Sequence, residues 1–115
     1  MLPRENRIKK KKDFEVIFKK SKSFKNNLFI LRFLENNLPQ NRFGFVVSQK
    51  VSKRAVIRNK VRRRLNEAIR ANEGKIKKGI DVLLIALPGI EKKNFSEIKE
   101  AVSLSLLKTK LITPN

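Results

Sequence analysis

A basic stretch, residues 53–64, most constrains how this chain can fold. It carries seven lysines and arginines and no acidic residue. Ile57, Val61 and, just beyond the stretch, Leu65 recur at intervals of four, a spacing that aligns them along one side of an α-helix. The cations then occupy the remaining surface. The pattern predicts a helix that buries one apolar stripe and presents a basic outer face, which suits a phosphate backbone.

The charge of the whole chain points to a polyanionic partner. Its 115 residues include 29 basic and 10 acidic side chains, a formal net charge of +19. Such an excess destabilises a compact state by self-repulsion unless anions neutralise it. Nucleic acid is therefore the leading partner class, and an anionic membrane surface is the alternative. Hydrophobic residues make up 40% of the chain, enough for the core of one domain.

The residue types that are missing restrict the chemistry. The chain has no cysteine and no histidine, so disulfides, thiolate metal sites and histidine-based catalysis are excluded. The acidic residues form no recognisable nuclease motif, and the glycines are isolated rather than grouped in a phosphate-binding loop. We therefore expect no catalytic residue and no metal ligand. With neither a membrane-length apolar run nor a signal-peptide pattern, the expectation is a soluble cytoplasmic protein.

Hydrophobic periodicity predicts three helices. The first follows Asp13, its predicted N-cap. The basic helix covers residues 55–72. The third begins near Asn94, which forms a capping-box pattern with Glu97, although asparagine replaces the usual serine or threonine.

Three apolar segments are predicted to be strands. Residues 28–34 and 42–49 are separated by a turn-rich segment and are expected to pair as a hairpin. Gly44 in the second of them suggests a bulge or a close backbone approach. Residues 79–87 form a nearly continuous apolar run, typical of a buried central strand. Because the basic helix connects the last two strands, these two are expected to be parallel.

Three features leave more than one interpretation open. Phe14 and Phe18 lie one helical turn apart, and they either pack in the core or form a stacking platform for unpaired bases. Asn59 either hydrogen-bonds a base edge or ribose, or caps the start of the regular helix. Residues 1–12 are either a solvated basic tail or an arm that becomes ordered on RNA.

The order of these motifs resembles a known family. Residues 58–63 read Arg-Asn-Lys-Val-Arg-Arg on the basic helix, and residues 43–51 before them end in Ser-Gln-Lys-Val. Residues 7–18 and 79–86 match the opening helix and the later central strand of the same family. Together they resemble the protein subunit of bacterial ribonuclease P, from Arg7 to about residue 107.

The resemblance implies a fold and a function. The fold would be a single α/β sandwich of order αβββαβα over residues 1–115, with a left-handed strand–helix–strand crossover of the ribosomal-protein type. The protein would bind the catalytic RNA of ribonuclease P and the 5′ leader of precursor tRNA, assisting endonucleolytic removal of that leader. Mg²⁺ would be bound mainly by the RNA, which carries the chemistry. Neither a membrane nor an obligate protein partner is implied.

Site residues follow from the resemblance by position. Those expected to bind the catalytic RNA are Lys53, Arg54, Arg58, Asn59, Lys60, Arg62 and Arg63. Those expected to line the cleft for the single-stranded leader are Phe14, Phe18, Arg32, Ser48 and Lys50.

The chain also departs from the family pattern. Arg32 stands where an aromatic residue is usual, and Lys60 stands where the third position of the motif is usually arginine. Asn66 replaces a basic residue, while Arg64 occupies a usually apolar position. The alternative function is a general structured-RNA-binding protein, ribosomal or chaperone-like, with no role in tRNA maturation. A metal-dependent nuclease acting alone and a DNA-binding helix module are further rivals.

Overall fold

The computed structural model describes residues 6–113, which form three helices and a four-stranded mixed sheet in the predicted order αβββαβα. The elements are α1 (Lys11–Lys20), β1 (Lys22–Lys25), β2 (Phe29–Glu35), β3 (Arg42–Val46), α2 (Ala55–Arg70), β4 (Ile80–Ala86) and α3 (Phe95–Lys108). Single 3₁₀ turns follow α2 and β4. None of the helices in this range combines the length and the apolar character needed to cross a bilayer.

The sheet has the strand order β1-β2-β4-β3. β4 is antiparallel to β2 and parallel to β3, which confirms the parallel pair on which the expected crossover depends. The predicted hairpin between β2 and β3 is wrong, because β4 lies between them. β4 is the most apolar strand, and a central position covers both of its faces and both of its edges.

The actual hairpin joins β1 to β2, with Phe24 of β1 opposite Leu31. The residue pattern gave no strand at β1. This strand is four residues long, and three of the four are exposed. Phe24 alone is partly buried, so β1 lacks the alternation that reveals longer strands.

The two faces of β4 pack against different helices. Val82 and Leu84 are completely buried in the main core, where α2 and α3 pack on the sheet. Leu83 points to the opposite face, where it packs with Ile17 of α1 and with Ile8. The sheet therefore separates the basic helix α2 from helix α1.

α2 and α3 are close to their predicted forms. Val61 and Leu65 of the predicted stripe are buried in the main core. The capping box is confirmed: the Glu97 amide donates to the Asn94 side chain at 2.9 Å, and the Asn94 amide donates to Glu97 Oε1 at 3.3 Å.

The segment before α1 is anchored to the sheet. The Ile8 amide donates to the Phe43 carbonyl at 2.9 Å, and the Ile8 side chain is buried. A Cβ at Gly44 would lie 3.0 Å from Leu83 Cδ1 and 3.4 Å from Ile8 Cβ, so the predicted close approach is confirmed. The interpretation of residues 1–12 as a solvated tail is therefore wrong for the part around Ile8. Residues 1–5 lie outside the described range.

A charged network joins α1 to the sheet. Arg42 donates from Nε and Nη2 to the two carboxylate oxygens of Asp81, at 2.8 and 2.6 Å, and from Nη1 to Asp13 at 3.1 Å. Asn36 donates to Asp81 as well, at 2.8 Å. Donating hydrogen bonds to the Asp81 carboxylate raises the pKa of Arg42, which keeps the guanidinium charged. Asp13 lies in the first turn of α1, and Lys10 is the N-cap, so the prediction of Asp13 as N-cap is wrong.

We expect Asp81→Asn to lower the free energy of unfolding by about 3 kcal/mol, because the Asp81 side chain is only 5% exposed and its loss leaves Arg42 without its bidentate partner. Asp13→Asn is the matched control. That pair is more exposed, so its loss should cost less than about 1 kcal/mol. Urea denaturation of both variants measures the difference, and equal costs would contradict the role assigned to Asp81.

Candidate nucleic-acid interface

The cations of α2 flank its buried stripe on two sides. At about 100° per residue, Arg58 and Arg62 fall at the edge of the stripe that faces β3. Lys60 and Arg64 fall at the other edge, which faces α3, and Arg63 lies further out. The basic face of α2 is therefore wide and spans both flanks of the helix.

On the β3 flank the guanidinium groups are held by backbone carbonyls. Arg58 Nη1 donates to the carbonyls of Ser52 and Lys53, at 3.0 and 2.9 Å. Arg62 donates to the Asn59 side chain, and at 3.5 Å to the Val47 carbonyl. These bonds occupy only part of each guanidinium, and they fix its position before any ligand arrives.

Asn59 lies inside α2 and accepts a hydrogen bond from Arg62. The N-cap of α2 is Arg54, so the interpretation of Asn59 as a cap is wrong. Its contact with RNA stays a prediction.

The N-terminal end of α2 is strongly positive. Lys53 and Arg54 are exposed, and the first turn of the helix contains no acidic residue. The N-cap makes no side-chain capping bond. The positive end of the helix dipole therefore adds to the side-chain charges, an arrangement that favours an anion such as phosphate.

On the α3 flank the cations differ in their contacts. Lys60 and Arg63 are exposed, and their side chains make no hydrogen bond or ion pair with residues 6–113. Arg64 instead donates to the Lys93 carbonyl at 2.6 Å, which links α2 to the segment before α3. Arg64 at this position is thus a link between helices.

On the opposite face of the sheet, the structure brings Phe18 and Arg32 together. The Arg32 guanidinium lies over the Phe18 ring, with Cζ 5.4 Å from the ring centroid. Arg32 also donates to Ser21 Oγ at 3.4 Å, while its buried Nε has no hydrogen-bond partner among residues 6–113. Phe18 is 48% exposed, so one aromatic surface with an attached cation faces solvent.

Phe14 is placed differently from Phe18. It is partly buried and packs against the cluster of Ile8, Ile17 and Leu83 between α1 and the sheet. This supports the core interpretation for Phe14. Ile30 and Val46 on the same sheet face are also only partly buried. α1 therefore covers only part of this face and leaves a shallow apolar floor beside Phe18.

Ser48 and Lys50 lie beyond the end of β3 and are exposed. Ser48 Oγ accepts a hydrogen bond from the Lys50 amide at 3.2 Å, which shapes the turn. Arg32 and Ser48 are separated by two strand spacings and four residues of register, about 16 Å. Ser48 and Lys50 are therefore not in contact with Arg32. A ligand that touches all three residues would have to be an extended single strand of a few nucleotides.

The acidic residues in the described part of the chain form no cluster that could hold a metal ion. Within residues 6–113 no three aspartate or glutamate side chains lie together. Asp13 and Asp81 are bound by Arg42, and Glu97 closes the capping box and lies 3.7 Å from Lys93.

Sequence reasoning missed the structural roles of Asp81 and Arg64. Asp81 gave a usable signal, because a lone acid inside an apolar strand requires a buried partner. Arg64 gave none, since its bond to the Lys93 carbonyl depends on how the helices pack.

Comparisons with known proteins point to one family. Residues 2–110 match the family model described as Ribonuclease P. The ribonuclease P protein component of Alkaliphilus metalliredigens is 41% identical over 108 residues, covering 94% of this chain and 96% of the relative. That of Clostridium acetobutylicum is 38% identical over 101 residues, covering 86% and 84%.

Solved structures give the same result. The ribonuclease P protein of Staphylococcus aureus superposes with a TM-score of 0.86 at 29% identity, covering 94% of this chain and 98% of that one. The Thermotoga maritima protein has a TM-score of 0.79 at 34% identity, covering 90% and 96%. The match in sequence and in fold over nearly the full length shows that the chain belongs to the ribonuclease P protein family, the protein components of a tRNA-processing endoribonuclease.

Proposed function

We propose that the two faces of the sheet bind two RNA segments at once. As a ribonuclease P protein component, the chain works with the ribonuclease P RNA. The basic face of α2 docks on that RNA, through Lys53, Arg54, Arg58, Asn59, Lys60, Arg62 and Arg63. The α1 face binds the single-stranded 5′ leader of precursor tRNA, through Phe18, Arg32, Ser48 and Lys50, with Phe14 packed under this surface as part of its apolar support.

The separation of the two surfaces by the sheet carries this proposal. α2 and the Phe18–Arg32 pair lie on opposite sides of β4, so an RNA docked on α2 leaves the aromatic surface open. The cations of α2 outnumber its one acidic residue, Glu67, and such an excess suits phosphates, while an exposed ring beside a cation suits an unpaired base. Holding leader and catalytic RNA on one rigid domain would favour precursor over mature tRNA.

The protein's part in Mg²⁺ use is indirect in this proposal. Mg²⁺ bound by the RNA supplies the chemistry of phosphodiester hydrolysis. The described acidic residues form no ligand set for it, whereas the α2 cations neutralise phosphates that would otherwise need counterions. We also infer that the protein acts in the cytoplasm and needs no obligate protein partner.

We expect Arg63→Ala to weaken binding of the ribonuclease P RNA about tenfold, because it removes an exposed guanidinium that is free to meet phosphate. The slope of log affinity against log salt should fall by about one. Lys108→Ala, which removes one exposed charge from the last turn of α3, is the control and should change both values little. Equal losses in the two variants would mean that only net charge matters.

Arg58→Ala is a less direct test of RNA docking than Arg63→Ala. Its guanidinium holds the Ser52 and Lys53 carbonyls, so its loss should weaken RNA binding and also destabilise the turn before α2. Thermal unfolding separates the two effects. We expect a lower melting temperature for Arg58→Ala and an unchanged one for Arg63→Ala.

We expect Phe18→Ala to weaken the holoenzyme's affinity for precursor tRNA about tenfold, with unchanged affinity for mature tRNA, because one stacked base is lost. Val16→Ala is the control, since Val16 is also an exposed apolar residue of α1. Binding of both tRNA forms to the reconstituted complex measures the effect. An equal loss for precursor and mature tRNA would contradict leader binding at Phe18.

A further inference from the structure

A groove of about 520 Å³ lies between the outer surface of α2 and the start of α3. Its lining residues are Lys60, Arg63, Arg64, Asn66, Glu67 and Phe95. We call it the α2–α3 groove. It is continuous with the basic face of α2, because Lys60 and Arg63 belong to both.

The aromatic wall of the groove is held in place. Phe95 is the first residue of α3 and is 39% exposed. The capping box at Asn94 fixes the backbone on one side of it, and the Arg64 bond to the Lys93 carbonyl ties the preceding segment to α2. Phe95 is therefore an exposed ring on a rigid support, beside cations.

The groove also contains unused hydrogen-bonding capacity. The Asn66 side-chain carbonyl oxygen is buried and has no hydrogen-bond partner within residues 6–113. Such an acceptor is costly to leave unpaired, and an amide can both donate and accept. Asn66 is also one of the residues that line the groove, so a polar group of a ligand placed there would be a suitable partner for its side chain.

We propose that the α2–α3 groove binds an unpaired nucleobase of the RNA that docks on α2. The base stacks on Phe95, its phosphates contact Lys60 and Arg63, and Asn66 hydrogen-bonds its polar edge. This inference rests on the proposed function and extends the RNA-binding surface from α2 onto α3.

The composition of the groove favours RNA over a protein segment. Three of its six lining residues are cations and one is acidic, so the local charge suits phosphate. Phe95 is the single apolar residue of that set, too little for the apolar core of a peptide interface. Stacking on one ring flanked by cations is the usual way in which unpaired bases are bound.

Tryptophan fluorescence provides the test, because the chain contains no tryptophan and no tyrosine. Phe95→Trp places a single indole in the groove and keeps an aromatic surface. Leu104→Trp is the matched control: Leu104 is 49% exposed on the same helix, nine residues further on and so on its opposite side. Each variant is titrated with folded ribonuclease P RNA, and binding is measured independently by filter retention.

The inference predicts strong quenching in Phe95→Trp at saturating RNA and little in Leu104→Trp. Phe95→Ala should bind the RNA about tenfold more weakly than the unchanged protein. Normal RNA binding without quenching in Phe95→Trp would overturn the groove as a base site and leave the proposed function standing. Failure of the unchanged protein to bind the RNA would overturn both.

Discussion

The position of β4 in the middle of the sheet is the constraint on which the rest of the structure depends. Val82 and Leu84 anchor α2 and α3 on one face, and Leu83 anchors α1 on the other. A strand buried on both faces keeps α1 apart from α2 and α3. The two surfaces proposed to bind RNA are consequently on opposite sides of one rigid support. Asp81, at the start of the same strand, fixes α1 to the sheet through Arg42.

The excess of positive charge is tolerated because of where it lies. Within residues 6–113 the buried charge is confined to the network around Asp81, where carboxylate and guanidinium compensate each other. Most of the remaining cations are on the surface, and several on α2 are fixed by backbone carbonyls. Fixing these groups in advance reduces the entropy lost on binding, so a strongly basic helix can serve as a specific docking surface.

Long, periodic segments were predictable from the sequence, whereas features that depend on neighbouring elements were not. The stripe around Val61, the apolar run of β4 and the Asn94 cap carry local signals, and all three were located correctly. Strand order was not predictable from the same signals, because adjacent strands in sequence pair by default and nothing local indicates that β4 inserts between β2 and β3. The resemblance supplied the third early strand that the residue pattern did not show.

The candidate sites also combine features that local sequence predicts with features that depend on neighbouring elements. Helical spacing placed the α2 cations on the outer surface, but their tethering to backbone carbonyls depends on the turn before the helix. Phe14 and Phe18 have identical local patterns, yet one packs against the sheet and the other is exposed beneath Arg32. What distinguishes them is how α1 lies on the sheet, which depends on how the whole chain folds.

Cleavage of precursor tRNA at low Mg²⁺ by a bacterial ribonuclease P RNA, with and without this protein, tests the central claim most directly. The account predicts strong stimulation that depends on the presence of a 5′ leader, and no cleavage by the protein alone. No stimulation with several ribonuclease P RNAs, despite demonstrated binding, would contradict it. Stimulation that is independent of the leader would contradict the part assigned to the α1 face.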